Sequence, residues 1–160
     1  MLKHSVEEVE LKNGARGLFI NVPGATVMNF DFELRAGHYL SSREKMETAH
    51  LMEHMTFGAN EKYPSAQEFS AVFEQNGAMS NASTDSQSIH YLGECADFEW
   101  QRILELMLLS ITRPLFTQKD FKAEFGNVRD ELFARNNSGF RRLGLKLSKK
   151  MGMNVEDDLA

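Results

Sequence analysis

The stretch Ala49-His50-Leu51-Met52-Glu53-His54-Met55 carries two imidazoles and a carboxylate within little more than one helical turn. Residues four apart on an α-helix lie one above the other, so His50 and His54 can reach a single ion with Glu53 beside them. Neutral imidazole is the commonest metal ligand. Two His and one further ligand leave a fourth position on Zn²⁺ for water, whose pKa drops from about 15.7 to about 7. A carboxylate that does not bind the metal then takes the proton as water attacks a carbonyl, which makes Glu53 the candidate general base. The order His-x-x-Glu-His reverses the common His-Glu-x-x-His zinc motif yet sets the same groups on one face. The plain alternative is a solvated helix with two incidental histidines.

Length and composition narrow the setting. At 160 residues the chain has the length of one domain, large enough to bury a real core. Its 42% hydrophobic content, with 12 Phe and 9 Met, fits a soluble globular class. No apolar run approaches the roughly 20 residues of a membrane span. Met1-Leu2-Lys3-His4-Ser5-Val6-Glu7-Glu8 contains no apolar signal region, so the expectation is a cytoplasmic protein with no membrane partner. A net charge of -5 argues against general nucleic-acid binding. Cys95 is the single cysteine, which rules out an intramolecular disulfide and leaves thiolate zinc sites unsupported; it reads as a buried small hydrophobe. Arg135, Arg141, Arg142, Lys146, Lys149 and Lys150 form a basic run, read as a solvated helix face or as a contact for an acidic partner surface.

Along the chain, Val9 to Lys12 and Gly17 to Val22 flank Asn13-Gly14 and predict a hairpin. Val27 to Leu34 alternates, with Met28, Phe30, Phe32 and Leu34 on one side, as a half-buried strand does. Ser41-Ser42-Arg43-Glu44 reads as a capping box that begins the helix carrying His50, Glu53 and His54. Gly58-Ala59-Asn60 ends that helix. A second helix runs from Tyr63-Pro64-Ser65 to about Asn76, burying Phe69, Val72 and Phe73, and Gly77 stops it. Met79 to Thr84 and Ser88 to Cys95 predict a second hairpin. Phe98, Ile103, Met107 and Ile111 mark a helix over 97–112, and Thr117-Gln118-Lys119-Asp120 opens a long one with Phe121, Phe125, Val128 and Leu132 as its core stripe. Asn136-Asn137-Ser138-Gly139 breaks it before a basic tail.

The order hairpin, strand, helix, helix, hairpin, helix, helix predicts an α+β domain with an antiparallel or mixed sheet and helices packed on one side. A single domain over 1–160 is expected, its core at about 6–135, with a basic helical tail, partly disordered, over 136–160. Glu124 and Glu131 share a face of the long helix but lie roughly 10 Å apart along its axis. Only one of them can bind the same ion, and spacing alone does not choose between them.

Thr48-Ala49-His50-Leu51-Met52-Glu53-His54-Met55-Thr56-Phe57-Gly58, followed by Glu61-Lys62-Tyr63-Pro64, resembles the pitrilysin/insulinase family of inverted-motif zinc peptidases. So do Gly77, Asn81-Ala82-Ser83-Thr84, Tyr91, and Phe121-Lys122-Ala123-Glu124 leading to Val128-Arg129-Asp130-Glu131. The similarity runs from Val27 to Arg135 with the motifs in family order. It implies a zinc-dependent endopeptidase domain holding one Zn²⁺ through His50, His54 and Glu131, with Glu53 as the base and Glu124 supporting the ligands from behind. It also implies that Asn81 and Ala82 lie on an edge strand where a substrate peptide is held extended by main-chain hydrogen bonds. His4, His38 and His90 match no family ligand and read as surface or partly buried residues.

Members of that family are usually much longer, with homologous domains enclosing the substrate. The resemblance therefore implies a partner for this chain: a second homologous domain or subunit, or a second copy in a homodimer. Two other functions stand beside the peptidase. One is a noncatalytic or half-site partner of a longer homologous subunit. The other is an enzyme like S-ribosylhomocysteine lyase, which has a similar inverted motif but needs two cysteines where this chain has Cys95 alone. The donor set also accepts Co²⁺ or Mn²⁺.

Overall fold

The computed structural model describes residues 3–153. Asn13-Gly14 turns the chain between β1 (Ser5–Glu10) and β2 (Arg16–Asn21), with Gly14 at φ 84°, a conformation that strains any residue with a Cβ. The two strands pair antiparallel from Ser5↔Asn21 to Glu10↔Arg16, as the sequence predicts. A second sheet holds β3 (Val27–Leu34), β4 (Met79–Thr84) and β5 (Ile89–Ala96) in the order β3-β5-β4, again antiparallel. The expected antiparallel architecture is therefore present, with its strands divided between two sheets among the described residues.

β5 is central, and its alternate residues Ile89, Tyr91, Gly93 and Cys95 are buried on one face. Phe30 and Phe32 of β3 lie opposite Gly93 and Tyr91 and pack against the same core. α1 (Thr48–Thr56) and α3 (Trp100–Thr112) pack on this sheet. Gly93 leaves room for the second contact, since a Cβ there would make the Met107 side chain move. α2 (Ala66–Phe73) adds Phe69 and Phe73, both fully buried. Ser65 caps it by accepting the Glu68 N–H (3.2 Å), and Gly77 at φ 83° turns the chain into β4. Cys95 is buried as expected, and burial pushes its thiol pKa up.

Polar contacts lock the end of α2 to the start of α3. Arg102 donates to the Val72 carbonyl and pairs with Glu99, whose Oε2 also accepts from Asn76 Nδ2 at 3.0 Å. The Arg102 and Asn76 hydrogen bonds hold the Glu99 carboxyl below its ordinary 4.5. Beyond α3, α4 (Gln118–Asn137) begins at Thr117, which accepts the Asp120 N–H at 3.1 Å. It ends at Ser138, whose hydroxyl caps α5 (Gly139–Lys150). α5 covers 139–150 of the basic tail; residues 154–160 lie outside the described range.

Four expectations need correction. The Ser41–Glu44 capping box does not form: 37–46 is two short 3-10 turns, and α1 starts only at Thr48. The reason is tertiary, because Gly37, His38 and Tyr39 give their N–H groups to the Gln87, Asp85 and Ser86 carbonyls of the β4–β5 turn. α2 stops at Phe73, not Asn76. Phe98 is 76% exposed, since Asp97–Glu99 is a 3-10 turn that shifts the phase of the stripe before α3 begins. In α4 the stripe has the expected period, yet Val128 and Leu132 are buried while Phe121 and Phe125 are exposed and stack on each other at 6.1 Å. The polar contacts from α4 to α1 and its N-cap run through Glu124, Glu131 and Arg135, while Phe121 and Phe125 are left in water.

Phe73→Ala should cost about 3–5 kcal/mol in denaturant unfolding, whereas Phe125→Ala should cost less than about 1 kcal/mol. A depressed carboxyl pKa contributes stability that is present above its unfolded value and lost as pH falls through the folded one. Melting curves of wild type and Glu99→Gln should accordingly differ most above pH 4.5, with the gap narrowing as the pH is lowered below it.

Candidate metal centre

α1 presents His50, Glu53 and His54 toward α4 and β4. The two Nε2 atoms stand 3.2 Å apart. Glu131 reaches in from α4, its Oε2 lying 3.5 Å from His50 Nε2 and 3.7 Å from His54 Nε2. For a tetrahedral ion with bonds of about 2.0–2.1 Å, neighbouring donor atoms are about 3.3–3.4 Å apart. The three separations, 3.2, 3.5 and 3.7 Å, bracket that edge. The donor set, two imidazoles and a carboxylate, is also one that zinc takes.

What lies behind the imidazoles decides which nitrogen is available. His50 Nδ1 donates to Glu47 Oε2 at 3.0 Å, and His54 Nδ1 donates to Glu124 Oε2 at 3.1 Å. A carboxylate can only accept here, so both Nδ1 atoms carry the proton and both Nε2 lone pairs face the common point. Each carboxylate is itself held from α4: Arg135 Nη2 donates to Glu47 Oε1 at 3.0 Å, and Asn127 Nδ2 donates to Glu124 Oε2 at 3.0 Å. The His50 bond holds the Glu47 carboxyl below its ordinary value, and the Arg135 charge adds to this against the opposing effect of burial. His50 is raised, first by its bond to Glu47 and further by the charges of Glu53 and Glu131, with burial opposing.

The spacing of the two carboxylates on α4 explains their different placement. Two turns separate them, so Glu131 meets the Nε2 pair while Glu124 meets the far side of the His54 ring. Glu53 accepts from Thr84 Oγ1 at 2.5 Å, which ties α1 to the end of β4. A cleft of about 440 Å³ opens over these groups, lined also by Asn81, Ala82, His38 and Arg135. Asn81 Oδ1 accepts the N–H of Ala82 at 2.9 Å. Among the described residues β4 pairs only with β5, so its other edge is unpaired beside the cleft.

Every residue singled out for the site thus lies in one place: His50, Glu53, His54, Glu131, Asn81 and Ala82 on the cleft, and Glu124 behind His54. Sequence reasoning missed four others. Glu47 stands three before His50, on the same face of a continuing helix, and Arg135 stands four after Glu131; both spacings were readable. Arg135 is therefore not part of a solvated basic face. In the sequence Thr84 stands only as the end of a matched motif and His38 only as a surface or partly buried residue; His38 reaches the cleft through the tertiary bonds of the 37–46 segment, its Nδ1 donating to the Met46 carbonyl at 2.8 Å. His90 sits apart, bonded to Asp31 at 3.0 Å, and His4 is exposed.

Known proteins share this arrangement of elements. A protease from Helicobacter pylori superposes with a TM-score of 0.79 at 26% identity, over 89% of this chain and 34% of that one. Pitrilysin superposes with a TM-score of 0.76 at 23% identity, over 91% of this chain and 16% of its own, a likeness of fold. A candidate zinc protease of Caenorhabditis elegans, C28F5.4, is 29% identical over 134 residues, 84% of this chain and 16% of its own. The chain spans only 12–16% of the length of such curated relatives. No helix among the described residues is long and apolar enough to cross a membrane. The sequence profile described as Insulinase (Peptidase family M16) matches residues 21–151, and the chain belongs to that family.

Proposed function

We propose that this chain is the catalytic domain of a zinc metalloendopeptidase. The observation that carries the reading is the convergence of His50, His54 and Glu131 on one point, with Glu53 on the same helix face and the unpaired edge of β4 alongside. His50, His54 and Glu131 would hold one Zn²⁺. When bound, the ion supplies a Lewis acid that polarises a carbonyl and acidifies water.

The remaining work falls to the chain's own groups. Glu53, oriented by Thr84, takes the proton of the attacking water and delivers it to the leaving amine. A peptide in extended form adds to the outer edge of β4, where backbone pairing gives affinity. Asn81 holds the Ala82 N–H meanwhile, so a substrate carbonyl takes that donor by displacing the Asn81 amide. Glu124 and Asn127 keep the His54 ring from turning.

A second reading, a noncatalytic or half-site partner, draws on a different observation. α5 exposes Phe140, Leu143 and Leu147, with Met151 exposed just after it, and β2 exposes Leu18, Phe19 and Ile20, large apolar side chains left in water. A homologous domain, subunit or second copy would cover such faces, and hydrolysis would then depend on it. The lyase reading finds no support, since Cys95 is buried in the core away from the cleft.

Purified protein should contain one zinc per chain, lost in His54→Ala and in Glu131→Ala, as measured by elemental analysis; an uncomplexed wild type after zinc is added back would count against the site. Glu53→Gln should keep the metal and lose about 10²–10⁴-fold in peptide hydrolysis. Undiminished proteolysis by that variant would remove Glu53 from its role, and zinc without hydrolysis in the wild type would favour the half-site reading.

A further inference from the structure

We propose that Glu47 and Arg135 are positioning residues of the metal centre: Glu47 fixes the His50 ring so that its Nε2 faces the ion, and Arg135 holds Glu47 in place from α4. The inference rests on reading His50, His54 and Glu131 as ligands. It concerns two residues that no motif in the sequence marks.

Three features of the structure carry it. First, Glu47 occupies the N-cap position of α1 yet makes no side-chain cap bond. A carboxylate at that position ordinarily accepts an amide N–H of the first turn. Here its two oxygens are turned to His50 Nδ1 and Arg135 Nη2, each at 3.0 Å. Second, all three side chains are largely withdrawn from water, with exposures of 15% for His50, 28% for Glu47 and 31% for Arg135, so solvent competes weakly for these bonds. Third, Arg135 follows Glu131 by four residues, so one face of α4 supplies both a ligand and the anchor for the carboxylate behind another ligand.

The physical reason for such a device is the freedom of imidazole. A ring with an unbonded Nδ1 can flip about its Cβ–Cγ bond and can carry its proton on either nitrogen. A carboxylate behind Nδ1 removes both freedoms and makes Nε2 a better donor to a cation. Glu124 does this for His54, anchored by Asn127; Glu47 does it for His50, anchored by Arg135. The two imidazoles thus have parallel supports, and both supports are tied down from α4.

The test is zinc affinity, measured by competition with a chromophoric chelator, in Glu47→Ala, Glu47→Gln, Arg135→Ala and the double variant Glu47→Ala/Arg135→Ala. Ring ¹⁵N shifts of His50 in zinc-free protein at alkaline pH give a readout independent of the metal. Glu47→Ala should weaken zinc binding by about 10–100-fold and shift the His50 proton from Nδ1 toward Nε2. Glu47→Gln, which keeps an acceptor oxygen and the side-chain volume, should lose less. Arg135→Ala should fall between wild type and Glu47→Ala and add little in the double variant, because it acts through Glu47. Wild-type affinity with an unchanged His50 tautomer in both Glu47 variants would overturn the proposal. Additive losses in the double variant would overturn the part given to Arg135. A wild type that takes up no zinc would bring down the ligand reading as well, which distinguishes the two failures.

Discussion

The docking of α4 across α1 is the contact on which the rest depends. It gathers four carboxylates, Glu47, Glu53, Glu124 and Glu131, around two imidazoles with Arg135 as the nearby guanidinium. When the imidazoles are in the neutral form that binds a cation, that cluster carries an excess of negative charge in a partly buried place. A divalent cation at the point where His50, His54 and Glu131 converge would offset much of it. On the proposed ligand reading, binding of the ion would be coupled to the docking of α4, because the same carboxylates repel one another across the helix contact. Arg135 and Asn127 reduce that cost by giving two of the carboxylates a donor of their own.

The sheet supplies the other half of the arrangement. Thr84 at the end of β4 bonds to Glu53, which sets the cleft directly above the strand's open edge. Behind it, the β4–β5 turn accepts three N–H groups from 37–39 and draws His38 to the cleft wall. Gly37 is needed for this close approach, since a Cβ there would collide with the Gln87 backbone. Buried Tyr91, pushed to a raised pKa by its surroundings, donates from its hydroxyl to Thr56 and braces the last turn of α1 from below. The position of the histidine helix is thus set from the turn, from the central strand and from α4 together.

Much of this was legible in the residues because the signals were local. Alternation gave β3, Asn13-Gly14 gave the first hairpin, Ser65 and Thr117 stand where helices begin, and 136–139 marks the break between α4 and α5. The spacing of His50, Glu53 and His54 needs only helical geometry. The choice between Glu124 and Glu131 could not be made from spacing, because it depends on how far along α4 the contact with α1 falls. The capping box at Ser41–Glu44 failed where tertiary bonds outcompeted a local preference. Phe121 and Phe125 have the right period for a core stripe, but period reports which face is apolar and not how much of it another element covers. The spacings of Glu47 from His50 and of Arg135 from Glu131 are visible in the sequence, but only the packing of α4 on α1 brings the two together.

Whether two imidazoles and one carboxylate form the ligand shell is decided by X-ray absorption at the zinc edge of the loaded protein. The expected spectrum has a low-coordinate shell of nitrogen and oxygen at about 2.0–2.1 Å, with the outer-shell scattering of two imidazoles and no sulfur. A sulfur neighbour at about 2.3 Å, or an all-oxygen shell without imidazole scattering, would contradict it.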